Sequence, residues 1–321
     1  MTLPTYPWHG PVWRPLTAGL AHGRLPPAVL LSGPRGLGKG RLARDFAARL
    51  LCERGEACGR CAACRLLAAA SHPDLCLVAP DPGRPLTIDR IRQLIDHLAL
   101  TPQYARGRLV IVEGAERMNP AAANSFLKTL EEPAPDTSLW LVCEQPARLP
   151  ATIVSRCQHF RLRPPPRRDG IAWLTSQGVE APRAELALAL SADAPLAALA
   201  WLRSEAPEQR QRLFETLEAL LGGHRDPVML AAAWQECPLD TLLLHLTAIA
   251  ADWIRLRQGL GERLHNPDRR EWLQNWAQRL DLEQVFAFWQ RLLTLRQGAQ
   301  AQLNQALQVE TLFLEIHQLR P

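Results

Sequence analysis

Two patterns of apolar spacing divide the chain. Through its first half, continuous apolar runs at Ala28–Leu31, Leu75–Val78, Leu109–Val112 and Leu139–Val142, with Phe160–Leu162 as a weaker fifth, alternate with stretches of helical periodicity. Unbroken apolar runs suit strands buried on both faces, and strands alternating with helices predict a parallel α/β sheet. Leu42, Phe46 and Leu50 share one helical face, as do Ile88, Ile91, Ile95 and Leu98, for which Thr87 supplies an N-cap.

Both patterns stop at Arg163-Pro164-Pro165-Pro166-Arg167-Arg168, a stiff polar connector that can continue neither helix nor sheet. Beyond it strand signals vanish. Leu- and Ala-rich helical periodicity runs to the end, punctuated by Pro195, Gly222-Gly223, Pro227 and Asn266-Pro267. The chain therefore reads as an α/β domain over 1–165, a small helical domain over 166–208 and an all-α domain over 209–321. The Trp residues of the helical part are expected to fill its core.

Composition keeps this picture and narrows it. With 47% hydrophobic and 21% charged residues among 321, the chain falls in the globular range. A net charge of +5 permits contact with nucleic acid without demanding it. The N-terminal residues lack a basic and apolar leader pattern, and no apolar run reaches the length of a membrane span, so a soluble cytoplasmic protein is expected. Of 37 basic residues only Lys39 and Lys128 are lysines. Where Arg serves as the default cation, a Lys marks a place where a compact point charge suits better.

Lys39 closes Gly33-Pro34-Arg35-Gly36-Leu37-Gly38-Lys39-Gly40, a phosphate-binding loop between the first strand and the helix expected near Arg41. In such loops backbone N–H groups and the Lys meet phosphates, while a following Ser or Thr hydroxyl holds magnesium. Gly40 has no hydroxyl. The third strand runs into Glu113-Gly114, where an NTPase places an acid for the metal and then a Glu to activate water. Glu113 could serve a metal; Gly114 cannot be a base. Gly33, Gly36, Gly38 and Lys39 are thus candidate phosphate-binding residues of a degenerate loop, with Glu113 as a possible metal ligand.

Cys52, Cys58, Cys61 and Cys64 follow Cys-x5-Cys-x2-Cys-x2-Cys spacing. Four thiolates make a closed tetrahedral site, and the ferredoxin alternative lacks its fourth Cys, since residue 68 is Ala. Structural zinc is the expectation. Cys76, Cys143, Cys157 and Cys237 read as small hydrophobes.

The stretch Ala123-Asn124-Ser125-Phe126-Leu127-Lys128-Thr129-Leu130-Glu131-Glu132-Pro133, followed by Ser155-Arg156-Cys157, resembles the bacterial clamp-loader branch of the AAA+ ATPases. With the phosphate loop, the cysteine insert, Ile88-Asp89-Arg90-Ile91-Arg92 and Leu303-Asn304-Gln305-Ala306-Leu307, the likeness covers nearly the whole chain. The resemblance implies an AAA+ α/β domain, a helical lid domain and a helical collar domain. It implies a hetero-oligomeric ring with gamma/tau motors and delta as partners, loading a sliding clamp onto primer-template DNA. Arg156 is then a finger acting in trans at a neighbour's ATP. Cys143 stands at the polar sensor position, and Ser191–Leu196 lacks the Arg that active relatives place in the lid. These departures point to a subunit that binds ATP or ADP weakly or not at all, with no catalytic residue in its own site. An ATP-hydrolysing motor and a zinc-dependent DNA-binding regulator are the alternatives.

Overall fold

The structure is a computed structural model that describes residues 5–81, 83–104, 106–262, 264–298 and 304–320. Residues 1–4 of the N-terminal segment and Leu303 of the Leu303–Leu307 stretch lie outside the described residues. The chain forms two compact units that meet in sequence at Pro166 and Arg167.

In the first unit α1 (Gly10–Ala21) precedes β1 (Ala28–Ser32), α2 (Lys39–Leu51) and α3 (Ala62–Ala68). Next come β2 (Leu75–Val78), α4 (Ile88–Leu98), β3 (Arg108–Glu113), α5 (Pro120–Glu131), β4 (Thr137–Cys143), α6 (Ala151–Val154) and β5 (Gln158–Arg161). All strand pairs are parallel, in the order β2-β3-β4-β1-β5. Of the three inner strands, β1 and β4 are buried throughout their length and β3 at all but its last residue, as unbroken apolar runs require, whereas the edge strand β2 is only partly buried. On one face, Trp140 of β4 stacks on Phe46 of α2 with centroids 4.7 Å apart. On the other, Ile91, Leu94 and Leu98 of α4 and Phe126 and Leu130 of α5 cover Val110, Val112, Leu139 and Leu141. Thr87 takes the extended N-cap conformation of α4, but its side chain makes no capping hydrogen bond.

The second unit is helical: α7 (Arg167–Ser176), α8 (Ala181–Leu190), α9 (Pro195–Leu202), α10 (Ala206–Leu221), α11 (Pro227–Ala232), α12 (Leu239–Arg257), α13 (Arg270–Arg279), α14 (Leu282–Gly298) and α15 (Gln305–Gln318). Among the described residues it holds two separate apolar clusters. Leu174, Ala187, Leu188 and Ala198 centre the smaller. The larger runs from Leu213 to Leu319, with Trp253 and Trp276 buried in it. No single described helix is long and apolar enough to cross a membrane.

Candidate functional site

Site geometry follows from strand order. The connections leaving the neighbouring strands β1 and β4 run in opposite directions across the sheet, and in open parallel sheets ligands bind beyond the carboxyl ends of strands at such a switch. The loop leaving β1 is the phosphate loop, and α2 opens at Lys39, two residues before the expected Arg41. Gly33 has φ +150°, and a Cβ there would lie 2.5 Å from the Leu162 carbonyl oxygen. Gly38 caps α2 in the left-handed region at φ +76°, and Gly36 turns the chain between them.

Two donors outside the loop fix its tip. Trp8 Nε1 and His9 Nε2 both meet the Leu37 carbonyl, at 2.9 and 2.8 Å. His9 is fully buried, and burial lowers its pKa more than the bond to Leu37 raises it. The ring is therefore neutral with its proton on Nε2. Lys39 is buried, and its Nζ donates to Pro34 O at 2.8 Å. Burial lowers the Lys39 pKa against the opposing pull of Glu144 and Glu116. Sequence reasoning passed over both acids, which meet here: the Glu144 N–H donates to Glu116 Oε1 at 3.0 Å.

Protein atoms crowd the space beside Gly40. A Cβ built on Gly40 would fall onto Glu113 Oε1 and lie 3.1 Å from Arg44 Nη1. Glu113 is itself ion-paired to Arg44 Nη2 at 2.9 Å. The missing hydroxyl, the strand-end acid and an arginine one helical turn onward thus share one small volume. Gly114 is left-handed at φ +60° and offers no side chain. The Cys143 thiol is pushed up to about 12, by burial first and then by Glu116, so it stays neutral. In the second unit, Ser191–Leu196 has no Arg of its own, though Arg167 Nε comes within 3.9 Å of Asp193.

The Leu130-Glu131 and Ser155-Arg156 motifs meet in space. Arg156 lies on the turn between α6 and β5, where its Nε donates to Glu131 Oε1 at 2.6 Å and its Nη1 to Thr152 O at 2.8 Å. Its side chain keeps 35% of its surface exposed.

The four cysteines converge at the start of α3 and the end of α2. Their Sγ atoms all lie within 4.8 Å of one another. The Cys52–Cys61 and Cys58–Cys64 separations are 3.9 and 4.0 Å. Four sulfurs around tetrahedral zinc sit about 3.8 Å apart, so the donor set can hold such a metal. Burial works against a Cys52 thiolate, but the backbone N–H groups of Cys58, Glu56 and Arg54 outweigh it and bring the thiol to about 6. Cys64 is pushed up to about 12 by burial, with Cys61 and Cys52 adding to it. A divalent cation relieves that conflict by stabilising all four thiolates together.

A parallel sheet of this order, with a glycine-rich loop leaving β1 and an acid at the end of β3, defines an AAA+-like core, here with Glu113 and Arg44 crowding Gly40. The family described as "DNA polymerase III, delta subunit" matches residues 8–166, and "DNA polymerase III, delta subunit, C terminal" matches residues 204–318. The chain is 36% identical to the DNA polymerase III subunit delta' of Pseudomonas aeruginosa, over 97% of this chain and 96% of that one. To the Escherichia coli subunit delta' it is 36% identical over 66% of this chain and 65% of that one. The subunit tau of Escherichia coli is 34% identical over 46% of this chain and 23% of its own length. The chain belongs to the delta' family of DNA polymerase III subunits.

Proposed function

We propose that this chain is a non-hydrolysing clamp-loader subunit that braces an AAA+ ring and supplies Arg156 to a neighbour's ATP. The Glu113–Arg44 pair beside Gly40, where the motif's hydroxyl would stand, carries the reading. Hydrolysis in this class needs a hydroxyl and an acid on magnesium and a carboxylate on water. Gly40 lacks the first, Glu113 is committed to Arg44, and Gly114 lacks the last. Gly33, Gly36, Gly38 and Lys39 keep the shape of a phosphate cradle, so ATP or ADP is held weakly or not at all. Arg156 is half-exposed, and a guanidinium entering a neighbouring site can stabilise charge on the transferring phosphoryl group.

The partners are gamma/tau motors and delta, with the sliding clamp and primer-template DNA met in the assembled complex. We read residues 166–208 as a lid and 209–321 as a collar, consistent with their separate apolar clusters. Zinc at Cys52, Cys58, Cys61 and Cys64 is structural, since four thiolates leave no position for a reactant.

The test is reconstitution with the motor and delta subunits. Arg156→Ala should lower DNA-stimulated ATP turnover at the affected site by about 10³-fold or more, with clamp loading lost in parallel. Unchanged turnover and loading would remove the finger from the account. ATP turnover by the isolated chain that disappears in Lys39→Ala would instead make it a motor. For the metal, elemental analysis should find about one zinc per chain, lost in Cys58→Ser together with much of a binding free energy of about 10 kcal/mol. Wild-type protein free of metal yet equally stable would exclude a structural site.

A further inference from the structure

The family's phosphate loop implies magnesium, and the residues around Gly40 do not fit it. In loops of this kind the ion bonds a hydroxyl, an acid and phosphate oxygens. Here Glu113 Oε1 occupies the volume a side chain at position 40 would need. Its charge is already met by Arg44 Nη2 at 2.9 Å. A divalent cation entering this volume would meet a neutralised carboxylate and be repelled by the guanidinium beside it.

The same arrangement suits a different ionic form of ligand. One Arg44 nitrogen faces Glu113, and a guanidinium has five N–H donors in a planar fork that matches phosphate oxygens. Arg44 stands one helical turn beyond the loop, and its side chain is 46% exposed. Lys39 and the N–H groups at the start of α2 supply the remaining positive field. Gly40 is then the residue that makes room for a cation built from protein.

We propose that Arg44, seated on Glu113 in the space opened by Gly40, takes the place of magnesium, so that the loop accepts nucleoside diphosphates and triphosphates free of metal. This rests on the phosphate-loop part of the proposed function and adds the form of ligand that the loop selects. Magnesium competes with the site for the phosphate oxygens and adds nothing to binding.

The probe is a fluorescent ADP titrated into the full chain in excess magnesium and in excess EDTA at matched ionic strength. Wild type should bind at least as tightly in EDTA as in magnesium. Arg44→Ala should weaken binding in EDTA by about tenfold, the worth of a lost charge-assisted contact, and weaken it less in magnesium. The double variant Gly40→Ser with Arg44→Ala frees Glu113 and restores a hydroxyl, so its binding should become about tenfold tighter in magnesium than in EDTA. Circular dichroism and thermal unfolding check that each variant folds.

Wild-type binding that is about tenfold tighter with magnesium overturns the proposal. So does Arg44→Ala indistinguishable from wild type in both conditions, or no ADP binding in either. Magnesium-dependent binding without turnover sinks this inference alone. Turnover of magnesium ATP by the isolated chain sinks the non-hydrolysing reading as well.

Discussion

Two arginine–glutamate pairs in the α/β unit use the same chemistry to opposite ends. Arg44 and Glu113 meet behind the phosphate loop, between the first turns of α2 and the carboxyl end of β3. Arg156 and Glu131 meet between the turn after α6 and the last residue of α5. The arginines are exposed to similar degrees, 46% and 35%, and pairs this wet are worth about 0–1 kcal/mol each. Strength does not separate them. Surroundings do: the first pair fills a site by standing where a side chain at Gly40 would go, while the second holds a charge at the surface, where a stronger anion can claim it.

The glycines of the loop offer the largest test of that difference. Gly33→Ala would place a Cβ against the Leu162 carbonyl at a φ of +150°, and backbone on both sides cannot give way. Its expected cost is about 2–3 kcal/mol in a denaturant titration. Gly40→Ala meets only the ends of the Glu113 and Arg44 side chains, and alanine favours the helix by about 1 kcal/mol. Its net effect should fall within about 1 kcal/mol of zero. Equal losses at both positions would mean that the Arg44–Glu113 pair is as rigid as the backbone, which the comparison denies.

That contrast also marks what the sequence could reveal. The runs beginning at Ala28, Leu109 and Leu139 announce their strands because a strand covered on both faces must be apolar at every position, whereas the Leu75 run is apolar although β2 lies at the sheet edge with Leu77 46% exposed. β5 is an edge strand. Its Gln158, His159 and Arg161 are exposed, so it begins two residues before the apolar signal at Phe160. Gly40 and Gly114 were legible as departures from a motif, and the four cysteines as a spacing. Arg44, Glu116 and Glu131 were not, because their roles come from contacts between elements. For Arg44 one signal existed: four residues after Gly40 on a helix is the same face. Among so many arginines, nothing in the local pattern singled it out.

Acidification should act on one pair's surroundings and spare the other's. The folded-state pKa of His9 lies below the ordinary 6.5, mainly through burial. As pH falls below about 6.5 the unfolded chain therefore binds the proton first, and the loop's stability drops from there downward. The buried Nδ1 has no hydrogen-bond partner among the described residues, so a proton placed there finds no acceptor among them. Amide exchange at Leu37 and Gly38, corrected for intrinsic rates, should quicken relative to that at Arg156 between pH 7 and about 5.5. Uniform change along the chain would take away the special position of His9.

The smallest expected effect concerns Glu131. Replacing it by Gln removes the charge facing Arg156 and leaves the hydrogen bond from Nη1 to Thr152 O in place. Stability should change by about 0.5 kcal/mol or less, since the pair is exposed. In the reconstituted complex the consequence runs the other way from that of Arg156→Ala. A guanidinium no longer held by a carboxylate is freer to meet a neighbour's phosphate, and release of about 1 kcal/mol at most corresponds to about fivefold tighter ATP binding at that neighbour's site. Weaker ATP binding in Glu131→Gln would instead show that Glu131 aims the guanidinium, and the second pair would then be as fixed in its role as the first.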